Sequence, residues 1–160
     1  MAVRKLSLSE FDAIDYQLIA IHTLLEDYRL AYFINQKLPI LLRKSEDDIE
    51  FKAVNGTAFF SKFSYSVKDT EEEWSLIENR DEIISANNNS STNLFSQEDQ
   101  KIISNIFFVP EMKKVDYFLK IENALLALPE IISKLNTISQ ISTAYSVDPE
   151  NLKSKNNLIF

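Results

Sequence analysis

Cysteine is absent from this chain, and glycine and histidine occur once each, as Gly56 and His22. Without cysteine there can be no disulfide and no zinc site built on thiolates, an absence that fits a reducing cytoplasm. With a single glycine there is no phosphate-cradling loop, because such loops need several glycines to let the backbone approach a phosphate closely. Kinase, P-loop and Rossmann readings fall together. A Gly-x-Ser-x-Gly nucleophile elbow is missing as well, and His22 has no recognisable serine partner. No stretch approaches about 18 uninterrupted apolar residues, and Met1-Ala2-Val3-Arg4-Lys5 is not followed by an apolar core, so neither membrane insertion nor export is expected.

Positive charge is also in short supply, with 17 Lys and Arg against 24 Asp and Glu and a formal net charge of −7. Binding a phosphate backbone depends on clustered cations that release counterions, which argues against a nucleic-acid partner. The imbalance is local: residues 45–82 hold four basic and eleven acidic side chains, whereas the segments on either side are nearly balanced. Such a segment is either a solvated acidic surface, the commoner outcome, or a docking face for a basic partner. With 160 residues, 45% hydrophobic and 26% charged, the chain has the size of one domain spanning 1–160, able to bury a core without staples.

Periodicity then orders the chain. Val3, Leu6 and Leu8 predict a short opening strand. Leu18, Ile21, Leu25, Tyr28 and Tyr32 recur at intervals of three and four and predict a long helix over 16–35. Pro39 ends it, and Ile40-Leu41-Leu42 reads as a strand. Ile49, Phe51 and Ala53 alternate up to Asn55-Gly56, and Phe59, Phe63, Tyr65 and Val67 alternate beyond it, so a hairpin with a type I′ turn is expected there. Residues 74–78 add a third strand, giving a meander with one polar, solvated face. Residues 86–93 lack periodicity and read as a flexible surface loop. Ile102–Phe108 and Asp116–Glu122 are expected strands, Leu128 to Leu135 a helix with Pro129 in its first turn, and Ile141 to Val147 a last strand. Asp148-Pro149-Glu150 reads as a helix start.

Two β-α-β units around a meander predict an α+β class with a single mixed, mainly antiparallel sheet and two helices packed on one face. A ferredoxin-like core with an inserted hairpin is the leading version. Strand order is left open.

The motif Val109-Pro110-Glu111-Met112-Lys113-Lys114-Val115-Asp116-Tyr117 resembles that of the bacterial IPExxxVDY family, with Val in place of the leading Ile. The likeness extends through Leu24-Leu25-Glu26-Asp27-Tyr28-Arg29-Leu30-Ala31-Tyr32 and the tail from Leu152 to Phe160. It implies a bacterial protein and brings no reaction with it.

Read from its residues, the motif is a polar corner between two strands: Pro110 stops one, Glu111 can accept from exposed N–H groups, and Asp116 can cap the turn. Its alternative is an interaction surface made of Glu111, Lys113, Lys114, Asp116 and Tyr117. His22 with Glu26 four residues on is a weaker polar site, able on a helix to offer two metal ligands or a base with its orienting carboxylate, with Glu111 and Asp116 as the nearest candidates to complete it. The bland reading of His22 is a helix-surface residue paired with Glu26. No cofactor and no metal are expected.

The leading expectation is a small cytoplasmic, non-catalytic protein-interaction or regulatory protein, whose partner is another protein or a second copy of itself as a homodimer. A small-molecule-sensing regulatory module is the alternative, and an enzyme using His22, Glu26, Glu111 or Asp116 comes third. The apolar end Leu158-Ile159-Phe160 is expected to dock on its own or a neighbouring chain.

Overall fold

A computed structural model describes residues 14–86 and 101–160. The elements in chain order are β1 Tyr16–Thr23, α1 Asp27–Lys37, β2 Arg43–Lys44, β3 Ile49–Ala53, β4 Gly56–Phe60, β5 Lys62–Val67, β6 Glu72–Glu78, β7 Arg80–Ala86, β8 Lys101–Phe107, β9 Tyr117–Glu122, α2 Leu128–Asn136 and β10 Ile141–Val147. Six strands form one sheet in the order β10-β1-β9-β6-β5-β2, and β3-β4 and β7-β8 are separate two-stranded hairpins. Every pairing is antiparallel, so the sheet is not mixed.

The class is α+β, with both helices on one face of the sheet. Four adjacent strands, β10-β1-β9-β6, stand in ferredoxin-like order: β9 and β10 each run antiparallel to β1 between them, and α2 connects them. The insertion is larger than one hairpin, since β2 to β5 separate α1 from β6, and β7 with β8 separate β6 from β9.

The predicted long helix does not exist over its first half. Residues 16–23 are β1, and α1 starts only at Asp27. The stripe misled because Leu18, Ile19, Ala20 and Ile21 are all 0–1% exposed. A central strand covered on both faces reads as a continuous apolar run, and any such run contains matches at three and four residues. Tyr28 and Tyr32, which extended the stripe, are exposed. The C-terminal limit holds: α1 closes at Lys37 and Leu38 is extended before Pro39, as steric conflict with the proline ring requires. Residues 40–42 are not a strand; pairing begins at Arg43.

The sheet face away from the helices, expected to be solvated along the meander, is covered. One apolar cluster lies under the helices and takes Ile19, Ile21, Trp74, Leu76, Leu119 and Ile121 from the sheet, with Leu30, Ile34, Ile131 and Leu135 from α1 and α2. A second cluster fills the opposite face: Leu18, Ala20, Ile77 and Phe118 meet Ala58, Phe60, Ile83 and Phe108 of the folded-over hairpins, together with Leu152 and Leu158. Both faces are buried. The hairpins reach across because the chain breaks at Ser61, so that β4 stays with β3 while β5 enters the main sheet.

The hairpin itself forms one residue earlier than Asn-Gly suggests. Ala53 pairs with Gly56, so Val54 and Asn55 are the turn, and neither has positive φ, which rules out type I′. Gly56 is nonetheless required. Its φ is 147° and an added Cβ would lie 2.9 Å from Ile83 Cγ2, so it permits both the backbone turn and the close approach of β7.

Each helix also ends with the same device. The Asn35 amide donates to Leu42 O at 3.0 Å while its Oδ1 accepts from Leu42 N at 2.7 Å. Asn136 does the same to Ala144, at 2.9 Å in both directions. An amide side chain thus takes the place of a neighbouring strand, and at Ala144 it occupies backbone groups of the edge strand β10.

The tail docks on its own chain. Asp148 caps a single 3-10 turn at Pro149–Asn151 by accepting from Glu150 N, Leu158 is fully buried, and the Phe160 ring meets that of Phe108 edge-on at 6.3 Å. The predicted strand at Val3 to Leu8, and residues 87–93 of the predicted loop, lie outside the described residues; Ala86 ends β7.

Candidate functional site

The corner that joins β8 to β9 is held from within by a residue the sequence reading passed over. Asn79, fully buried between β6 and β7, uses all its hydrogen-bonding groups on the motif. Its amide donates to Met112 O at 2.9 Å and Val115 O at 2.8 Å, and its Oδ1 accepts from Val109 N at 2.8 Å. Its backbone N–H donates to Asp116 O, and its backbone carbonyl accepts from Phe108 N, both at 2.9 Å. Pro110 opens the 3-10 turn Pro110–Met112, where its missing N–H leaves nothing unpaired. Val109 and Val115 anchor the two ends in the second apolar cluster.

The motif's own polar groups are spent on the fold. Asp116 Oδ2 accepts from Thr23 N at 2.9 Å, where β1 ends. The Tyr117 hydroxyl donates to Leu25 O at 2.8 Å, and its pKa is pushed well up by burial and then by Glu78, Asp27, Asp116 and Glu26. Glu111 accepts from the backbone N–H and the hydroxyl of Ser154, each at 2.8 Å, and so ties the corner to the tail. Burial alone would raise the Glu111 carboxyl, but hydrogen bonds from Ser154, its own backbone and Lys153 outweigh it and hold the group below the usual range. Of the five predicted surface residues, Lys113 and Lys114 are exposed and have no hydrogen bond or ion pair among the described residues, Lys113 lying 5.8 Å over the Phe107 ring.

The Glu111 tie has a pH signature. A carboxyl whose folded pKa is depressed contributes stability above its unfolded value, about 4.3, and that contribution is lost as pH falls through the lower folded value. Melting curves of the parent and Glu111→Gln should therefore differ most near neutral pH and converge below about pH 4. A gap of the same size across that range would remove the carboxylate from the link.

His22 and Glu26 are not a helical pair. His22 sits on β1, while Glu26 is the N-cap residue of α1 and makes no side-chain capping bond. The imidazole stacks on Tyr145 at 5.6 Å and its Nε2 lies 3.1 Å from the Tyr145 hydroxyl. The fold does place His22 beside the motif, since both line a shallow recess with Tyr145, Met112, Lys114 and Val115. Glu111 lines the same recess, but its carboxylate oxygens accept from Ser154, and Asp116 accepts from Thr23 N. Among the described residues no three His, Asp or Glu side chains converge on one point that could hold a metal.

A second recess, of about 190 Å³, opens on the other side of the motif between Thr23, Leu24, Glu78, Arg80, Phe107 and Lys113. Here the electrostatics are unbalanced. Glu78 is half-buried directly opposite Tyr117, and burial, then Asp27 and Asp81, raise its carboxyl against the pull of Arg80 and Lys44. Among the described residues the carboxylate has no ion pair within 4.0 Å, although Arg80 and Lys113 share the recess with it. Glu78, Asn79 and Arg80 lay in one polar break after Trp74-Ser75-Leu76-Ile77, and that break was the only signal available. The strand β7 that follows was not predicted either.

Comparison with protein-family models, with curated proteins and with solved structures finds no match to the chain.

Proposed function

We propose that this chain is a small, cytoplasmic, non-catalytic interaction or regulatory protein that works by binding. The observation that carries this reading is how the motif's polar side chains are used: Glu111, Asp116 and Tyr117 each satisfy a hydrogen bond inside the fold. What the corner offers a partner is the exposed pair Lys113 and Lys114. In a chain of net charge −7, a cationic ridge is complementary to an acidic segment of another protein, and charge complementarity of this kind sets orientation and encounter rate. Membership of the IPExxxVDY family is proposed on the same motif. Lack of cysteine is the support for a cytoplasmic setting.

Chemistry by His22, Glu26, Glu111 or Asp116 is the weaker reading, because the imidazole is engaged by Tyr145 and two of the carboxylates by backbone N–H groups. Small-molecule sensing is favoured by one separate observation, the unpaired Glu78 in its recess.

Cross-linking in a bacterial lysate, followed by mapping of the linked residues, tests the ridge. Links to an acidic partner should fall at Lys113 and Lys114 and should be lost in the Lys113→Glu, Lys114→Glu double variant while its melting point stays within about 2 °C of the parent. Undiminished capture by the double variant would overturn the assignment. Links only between identical chains, with a matching dimer mass in sedimentation, would replace the acidic partner by a second copy.

A further inference from the structure

We propose that the recess between Glu78, Arg80 and Lys113 binds a small zwitterion, an α-amino acid with an apolar side chain. This deepens the regulatory side of the proposed function, and rests on it only in taking the protein to act by binding.

Three features of the recess carry the inference. The first is its size: about 190 Å³ is below the roughly 300–1,000 Å³ of pockets for drug-sized ligands and suits a metabolite of about ten heavy atoms. The second is opposed charge without pairing. Glu78 lines the recess with no ion pair among the described residues, and Arg80 and Lys113 line it too. A half-buried carboxylate is costly without a partner, and a fork of guanidinium donors suits a carboxylate. A ligand carrying an ammonium and a carboxylate would satisfy both groups in one event, whereas an anion alone would leave Glu78 unpaired and an amine alone would leave the cations. The third feature is the wall. Leu24, fully exposed, and Phe107 line the recess and give an apolar contact beside the charged groups. The neighbouring polar groups are already engaged: Asp116 accepts from Thr23 N, the Thr23 hydroxyl donates to Gln140 O and the Tyr117 hydroxyl donates to Leu25 O.

Thermal shift and titration calorimetry on the full chain test this with L-phenylalanine and L-leucine as probes. Phenylpropionate lacks the ammonium and phenethylamine lacks the carboxylate, so they report each half alone. The expected result is a melting-point rise of about 2 °C or more with either amino acid at millimolar concentration, and a much smaller one with either half. Glu78→Gln and Arg80→Met should each weaken binding by about tenfold or more. Arg80 is exposed, so Arg80→Met keeps the test decisive if Glu78→Gln folds poorly. The proposal is overturned by a response to phenylpropionate equal to that for phenylalanine, by binding that survives in both variants, or by no response to any probe. If no probe binds while partner capture through Lys113 and Lys114 persists, the ligand falls and the binding-protein reading stands.

Discussion

Replacing Asn79 by alanine is expected to lower stability by roughly 3–5 kcal/mol, enough to move the melting point by about 10 °C. The side chain is fully buried and its removal strands two backbone groups at once, the carbonyl of Val115 and the N–H of Val109, and takes one of two donors from Met112 O, which keeps the Val115 N–H. Each buried group left without a partner costs about 1–3 kcal/mol, and water admitted to the vacated space recovers part of that. Asn79→Asp should be no better, since it keeps the acceptor for Val109 but removes both donors and sets a charge against two carbonyls. Urea denaturation of the two variants measures the effect. A loss below about 1 kcal/mol would mean that the corner holds its shape without this residue.

Phe118→Ala should cost about 3–5 kcal/mol, because a buried aromatic takes its transfer energy with it and leaves a cavity behind. Phe118 is 0% exposed and lies between Ala20 of β1 and Ile77 of β6 on the sheet face away from the helices. On a solvated face the same substitution would change stability by less than about 0.5 kcal/mol. Phe59→Ala is the internal comparison, as Phe59 is exposed on β4. Similar denaturation midpoints for the two variants would contradict the second buried cluster and with it the docking of Leu158 on that face.

Much of the framework was legible, and the parts that were not share a physical origin. Strands β8, β9 and β10 and helix α2 follow from patterns bounded by polar residues or proline, and Pro129 stands at the first helical turn as expected. The start of α1 was missed because β1 is buried on both sides, which erases the alternation that identifies a strand. At the motif, residue types suggested a corner with Asp116 capping its turn and Glu111 accepting from the turn's N–H groups. Asp116 does not cap the turn, and the two carboxylates accept backbone N–H groups from elsewhere in the chain. Their donors, Thr23 and Ser154, are 93 and 43 residues away in the chain. No local pattern encodes such distances.

By itself the sequence determined the α+β class, the helical stop at Pro39, a hairpin near Asn55-Gly56 though not its turn type, and the lack of any thiolate. Composition and local sterics suffice for each of these. Only the tertiary structure decided that both sheet faces are covered, that Asn79 is the brace of the motif, and that Glu78 meets Arg80 and Lys113 in one recess without pairing. Those outcomes depend on which segments fold over which, and burial of apolar area, the force that brings them together, is non-directional, so the pattern along the chain marks apolar faces without saying which segment covers which.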